Sequence, residues 1–200
     1  ALGEKVGPLL IAKKPLTPDE IDTAHIAIPG QYTTANFLLS LAFPKAQQRT
    51  AMLFSDIENA VLQGSVDAGL IIHENRFTYQ DKGLVKLMDL GDYWEETSGL
   101  PIPLGGIVVR RDLPEAVQHK VDRVLARSVA YALDHPDAPR DFVRQYAQEM
   151  EEAVMYKHIN LYVNHYTRDL GERGRAAVQH LFEVAMKKGV MPVSDTPVFV

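Results

Sequence analysis

The stretch Asp67-Ala68-Gly69-Leu70-Ile71-Ile72 is apolar and strand-like, and it runs straight into His73, Glu74, Asn75 and Arg76. A neutral imidazole takes up a proton near pH 7, which few other side chains do without help. At the end of an apolar strand, His73 is expected to be partly dry and firmly held. Glu74 is expected on the opposite side, because neighbours on a strand alternate. Such a histidine also has a plainer use, as a core imidazole bonded to a backbone carbonyl. The residue types leave both uses open.

A second stretch with chemistry is Pro29-Gly30-Gln31-Tyr32-Thr33-Thr34. A turn here feeds a helix whose start carries two adjacent hydroxyls. Free backbone N–H groups and the positive end of the helix dipole favour an anion at such a place, and a carboxylate is a natural guest. Thr33 also suits a simple N-cap. Other candidates are weaker. His158 and His165 lie seven apart, two turns along one helical face, too far for one metal ion, and they read as solvated. Tyr93, Trp94, Glu95 and Glu96 suit either a cleft rim or a plain loop. No HExxH, phosphate-cradling loop, GxSxG or dinucleotide fingerprint is present.

The elements that must carry these residues follow from the hydrophobic pattern. Val6–Ala12 reads as a buried strand. Thr17 opens a capped helical turn with Pro18 first and Glu20 three after the cap. Ala24–Ile28 is a short strand. A helix entered near Thr33 or Thr34 places Phe37, Leu38 and Leu41 on one face. Met52–Phe54 is a strand candidate. Ser55-Asp56-Ile57-Glu58 opens a helix in which Ile57, Val61 and Leu62 are in phase, and Gly64 stops it. With Asp67–Ile72 as the next strand, residues 24–72 alternate β-α-β-α-β, which argues for a parallel sheet with helices on its faces. Leu84–Leu90 is a further strand, the run from Gly91 to Gly106 is loop-rich, and Ile107–Val109 is strand-like. From Pro114 the pattern turns helical. Helices are expected over 114–135, from Pro139 to Gln148, from Glu151 to Tyr166 and from Gly171 to Lys188, before an extended tail.

This order predicts two lobes. Residues 21–102 form an α/β lobe carrying the Thr-Thr and His motifs. Residues 1–20 and 103–200 form a second, discontinuous and helix-rich lobe. Proteins of this kind bind a small ligand between lobes that can close on it.

Bulk properties set the outer bounds. The 200 residues are 46% hydrophobic and 24% charged, ordinary for a globular protein with a real core. The formal net charge of -5 gives no attraction to nucleic acid or an anionic membrane. The absence of cysteine excludes disulfides and thiolate metal sites and fits a reducing compartment. No apolar run approaches the ~18 residues of a membrane span. The N-terminal stretch is too polar for a signal peptide.

Several motifs in order carry a resemblance. AIPGQYTTANFLLSL, DAGLIIHENRFTY, DLGDYWEETSGLPIPLGGIVVRRDL and YVNHYTRDLGERG are together similar to the 1,4-dihydroxy-6-naphthoate synthase family of the futalosine route to menaquinone. The resemblance spans the chain from its first residues to PVFV. It implies an α/β, two-lobed type 2 periplasmic binding-protein-like fold, used inside the cell as a carbon–carbon lyase. The substrate implied is cyclic dehypoxanthine futalosine, a small molecule with a carboxylate. His73 is implied as proton acceptor, Thr33 and Thr34 as substrate contacts, and neither metal nor redox cofactor is implied. Family chains begin earlier, with a Ser-Pro-Cys-Pro-Asn-Asp-like turn and a Lys-Leu-Ser-like contact. The present sequence is therefore expected to be a fragment whose first lobe is incomplete.

Rival readings share the fold. A carboxylate-binding solute receptor needs export and gains little from a histidine base. The ligand-sensing domain of a transcription regulator needs a helix-turn-helix. The sister chorismate dehydratase fits the LIIHE and PGxxTT motifs less well.

Overall fold

The computed structural model describes residues 1–146 and 152–199. They divide into two compact units: Glu4–Ile102, and Ala1–Gly3 with Pro103–Val200. The chain opens with β1 (Leu2–Gly3), which belongs to the discontinuous unit.

The continuous unit holds β2 (Leu9–Ala12), α1 (Pro18–Thr23), β3 (Ile26–Ile28), α2 (Thr34–Ala42), β4 (Arg49–Ala51), α3 (Ile57–Gln63), β5 (Ala68–Ile71), β6 (Val85–Asp89) and α4 (Leu90–Ser98). The five strands form one sheet in the order β4-β3-β5-β2-β6. The expected parallel arrangement holds for β3, which runs parallel to both β4 and β5. β2 is antiparallel to β5 and to β6. Leu9 stands opposite both Ile71 and Asp89, so the start of β2 lies at the edge where β5 and β6 end.

This pairing moves a boundary. The sequence pattern places residues 1–20 with the C-terminal lobe, but β2 sits inside the sheet of the continuous unit and all four of its residues are buried. A short apolar strand carries no mark of which sheet it joins, and the inserted antiparallel strand breaks the sequential β-α-β order.

Alternation of side chains gives the sheet two covered faces. Leu9, Ile11, Ala27 and Ile71 pack with Ile57 and Val61 of α3. Gly69 permits that approach: a Cβ there would lie 2.4 Å from Ile57 Cγ2 and 3.0 Å from Val61 Cγ2. Across the sheet α2 packs on α4, and α4 on β2 and β6. The buried face of α2 is Ala35, Leu38 and Leu39, one position off the expected Phe37-Leu38-Leu41 set.

Three expectations are corrected. The strand expected at Met52–Phe54 is β4 at Arg49–Ala51, and Phe54–Asp56 is a single 3-10 turn. The loop expected after Leu90 begins with α4, whose start is capped by Asp89 and whose end is stopped at Gly99 (φ 70°). Trp94 pins it, 2% exposed, its Nε1–H donating to Pro101 O at 3.1 Å. The strand expected at Ile107–Val109 is irregular chain with Ile107 and Val108 exposed.

The discontinuous unit contains β1, part of the short strand β7 (Ile102–Pro103), and the helices α5 (Glu115–Asp134), α6 (Arg140–Tyr146), α7 (Glu152–Tyr162), α8 (His165–Arg168) and α9 (Gly171–Lys187). The expected end of α6 at Gln148 and start of α7 at Glu151 lie outside the described residues. The helix expected to continue to Tyr166 breaks at Asn164. Its backbone is extended, its Oδ1 accepts from Tyr166 N–H, and Thr167 Oγ1 accepts from Asn164 N–H. That reciprocal cap starts α8 afresh.

Candidate active site

The Thr-Thr and His motifs of the continuous unit gather at one sheet edge. β3 ends at Ile28 and leads through Pro29-Gly30 to Thr33 and Thr34. β4 ends at Ala51 and leads to Phe54, and β5 ends at Ile71 and leads to His73. The three strands are parallel neighbours, so these residues share the carboxyl edge, where open α/β sheets hold their ligands.

Thr33 is an N-cap. Its Oγ1 accepts from Asn36 N–H at 3.2 Å and donates to Gly30 O at 2.8 Å. The cap answers one of the two uses left open above and occupies most of that hydroxyl's capacity. Thr34 is the first residue of α2 and is half-buried. Below the turn, Asn36 Nδ2 donates to Gln31 O at 2.8 Å, and Arg49 Nη1 donates to Asn36 Oδ1 at 2.8 Å. Burial lowers the pKa of the Arg49 guanidinium. The loop carrying the threonines is thus tied to the first residue of β4.

His73 differs from expectation. β5 is fully buried, but His73 lies beyond its end in a 3-10 turn, His73–Phe77, and is exposed. Strand alternation therefore does not extend to residue 74. The backbone of His73 is left-handed, φ 58°; among the described residues it shares this with one other non-glycine residue, Lys5. The imidazole meets the Phe54 ring edge-on, centroids 5.3 Å apart and planes at 69°.

The turn is gripped from below. Asn75 Nδ2 donates to Glu58 Oε2 at 2.5 Å, and Lys82 Nζ lies 2.6 Å from the same oxygen. Arg76 Nη1 donates to Gly7 O at 2.6 Å, and its Nη2 donates to Lys5 O at 3.1 Å and to Asp89 Oδ2 at 2.6 Å. Asp89 Oδ1 in turn accepts from Gly91 N–H at 2.9 Å. Glu95 accepts from Lys5 N–H at 2.5 Å. Burial, with nearby Glu4, Asp92 and Asp89, outweighs that bond and raises the Glu95 pKa.

Phe54, Glu58 and Asp89 escape sequence reasoning. Asp89 did carry a signal, an acidic residue closing a strand two before Gly91, which suits an N-cap. Trp94 is core, and Asn164 caps α8 and donates its Nδ2 to Leu2 O at 2.9 Å. His165 packs against Tyr166 at 4.0 Å between ring centroids. Among the described residues no group of three or more His, Asp or Glu is disposed to hold a metal ion, and no helix is long and apolar enough to cross a membrane.

The continuous unit is a mixed α/β sheet with its polar residues at the carboxyl edge, and the chain shares its fold with solved solute-binding proteins. The ligand-binding component of an ABC-type import system from Staphylococcus aureus superposes with a TM-score of 0.60 at 13% identity, over 94% of this chain and 66% of that one. A sulfonate-binding protein of Methylobacillus flagellatus gives 0.56 at 12%, over 98% and 64%. An Archaeoglobus fulgidus crystal structure gives 0.87 at 39%, over 96% and 71%. A family model described as menaquinone biosynthesis matches residues 1–187. Two curated relatives bear the name 1,4-dihydroxy-6-naphtoate synthase. The Thermus thermophilus protein is 46% identical over 200 residues, 100% of this chain and 72% of its own length. The Streptomyces coelicolor protein is 43% identical over 197 residues, 96% and 69%. The chain belongs to the menaquinone biosynthesis family and is an enzyme chain of that route.

Proposed function

We propose that this chain carries the lyase chemistry that turns cyclic dehypoxanthine futalosine into 1,4-dihydroxy-6-naphthoate, with His73 as proton acceptor. The observation that carries the reading is the convergence of Thr33, Thr34, Phe54 and His73 on the carboxyl edge of three adjacent parallel strands. The start of α2 and the Thr34 hydroxyl hold the substrate carboxylate, with Thr33 keeping the helix end in shape. His73, accessible at the strand edge, removes a proton from the cyclic substrate. Carbon–carbon cleavage follows, and aromatisation of the new ring drives it forward. The enzyme works in the cytoplasm.

The test uses the complete gene product, wild type beside His73→Asn, incubated with cyclic dehypoxanthine futalosine. Mass spectrometry follows 1,4-dihydroxy-6-naphthoate. A positioned base contributes roughly 10²–10⁴-fold, so the variant is expected to lose turnover on that scale while remaining folded. Full turnover in folded His73→Asn removes the base assignment. No product from folded wild type favours a carboxylate-binding protein of the same fold, the alternative that the shared architecture with solute-binding proteins leaves.

A further inference from the structure

We propose that Glu58 and Asp89, acting through Asn75 and Arg76, are positioning residues that fix the turn on which His73 stands; the inference rests on His73 being the base. Among the described residues these two carboxylates are the buried charged groups, 1% and 7% exposed. Burying a carboxylate is costly unless it is paired, and the interior rarely keeps one without a use. Here both reach one five-residue turn with one of their bonds. Glu58 takes Asn75, and Asp89 takes Arg76.

The turn needs outside support. Ile72 offers it no side-chain cap, and His73 stands in a left-handed backbone conformation that a residue with a Cβ adopts only when its surroundings impose it. Arg76 imposes it from two sides. Its guanidinium binds the Lys5 and Gly7 carbonyls on the approach to β2 and Asp89 at the end of β6. Lys5 is the other left-handed non-glycine residue, so one guanidinium ties the turn that carries His73 to it. From the α3 side Glu58 holds Asn75, while α3 follows directly on the 3-10 turn whose Phe54 meets the His73 ring.

Glu58 also shows that this arrangement is not the most stabilising one. Its Oε2 takes both Asn75 and Lys82, while its Oε1 is buried without a hydrogen-bond partner. A half-satisfied buried carboxylate is a poor stabiliser, and the bonds it does make are costly to break. The imidazole is exposed and meets Phe54 on one side, so the backbone of its turn sets where the ring is presented. Misplacing a catalytic group by about 1 Å can cost 10²-fold in rate.

The test compares Asn75→Ala, Asp89→Asn and the double variant with wild type, His73→Asn and Thr17→Ala, all in the complete gene product. Asn at 89 can still cap α4 through its Oδ1 but cannot pair with Arg76 as an ion. Thr17→Ala removes the capping box of α1, far from the site in sequence, and serves as a stability control. Turnover constants are read beside hydrogen exchange of amides 74–77. The expected result is a fall in kcat of roughly ten- to hundredfold, with KM within about twofold and the turn amides exchanging about tenfold faster. Thr17→Ala is expected to lower Tm and leave kcat unchanged. Wild-type exchange of the turn in the double variant overturns the proposal, as does wild-type kcat there when His73→Asn is inactive. If the double variant does not fold, Asn75→Ala alone decides by the same two readouts, since Glu58 then keeps Lys82. Full turnover in His73→Asn ends the base assignment instead, and the exchange data still decide whether the carboxylates hold the turn.

Discussion

The His73 imidazole stands edge-on to the Phe54 ring, 5.3 Å between centroids at 69°. The two residues follow β5 and β4, strands that do not pair with each other but flank β3. The contact therefore spans the loop that leaves β3 for the threonines. Edge-to-face pairs contribute about 0.5–1.5 kcal/mol beyond area burial. For an exposed ring such a contact chiefly selects an orientation.

Phe54→Leu keeps apolar bulk and removes the aromatic face. Its expected effect is a loss of kcat of roughly two- to tenfold, the pair energy converted to rate. KM and Tm should stay close to wild type, because Phe54 is only half-buried. Steady-state kinetics on the complete gene product check this. A wild-type kcat means that Phe54 does not orient the imidazole.

The two threonines should separate by readout. Thr33→Ala removes an N-cap and is expected to cost about 1 kcal/mol of stability, with Thr33→Ser restoring it. Thr34→Val keeps shape at the first helical position and should leave Tm in place. If Thr34 binds the carboxylate, a hydrogen bond to a charged group is lost and KM should rise roughly tenfold or more. Denaturant titration and Michaelis kinetics on both variants make the comparison. An unchanged KM in Thr34→Val leaves the carboxylate to the backbone N–H groups of α2.

Much of this edge was legible because strand, turn and helix each left a mark. The apolar run to Ile72, the Pro29-Gly30 turn, and the Asp56-to-Gly64 helix placed the motifs at strand ends. The conformation of the histidine left none, since nothing in IIHENR distinguishes a strand continued to residue 73 from one that stops at Ile71. Glu58 was equally opaque. A glutamate in the first turn of a helix reads as solvated, and its burial depends on Asn75 and Lys82, 17 and 24 residues away. α4 was hidden by Gly91 and by the two prolines after it, although the Asp89 cap and the Gly99 stop bracket it. The placement of β2 depends on pairing across more than 50 residues, beyond what local pattern encodes.

Two glycines report how tightly helices approach the sheet. A Cβ at Gly69 meets the Cγ2 methyls of buried Ile57 and Val61, side-chain rather than backbone atoms. A Cβ at Gly91 would lie 2.4 Å from the Val6 carbonyl oxygen, which is backbone and cannot turn away. Gly69→Ala is expected to cost about 1–3 kcal/mol as overpacking. Gly91→Ala should cost more and disturb the Asp89 cap, whose Oδ1 accepts the Gly91 N–H. Urea midpoints give the order. A smaller loss for Gly91→Ala than for Gly69→Ala contradicts the close backbone approach.

Glu95 supplies a pH test beside the same network. Its pKa lies above the usual value, first because burial disfavours the charge and then because Glu4, Asp92 and Asp89 repel it, with the Lys5 N–H bond opposing. The sign follows from proton binding. Above the unfolded pKa, near 4.5, the folded state binds more protons at this site than the unfolded one, so stability falls as pH rises through the folded value. Glu95→Gln retains an oxygen for Lys5 N–H and carries no charge. Its Tm relative to wild type should therefore rise between pH 4 and pH 7, with little difference at the acid end. A thermal melt series of both proteins across that range measures the effect. A variant that loses Tm relative to wild type as pH rises means that the Lys5 bond outweighs burial and repulsion, and that the carboxylate helps hold Lys5 in its left-handed conformation.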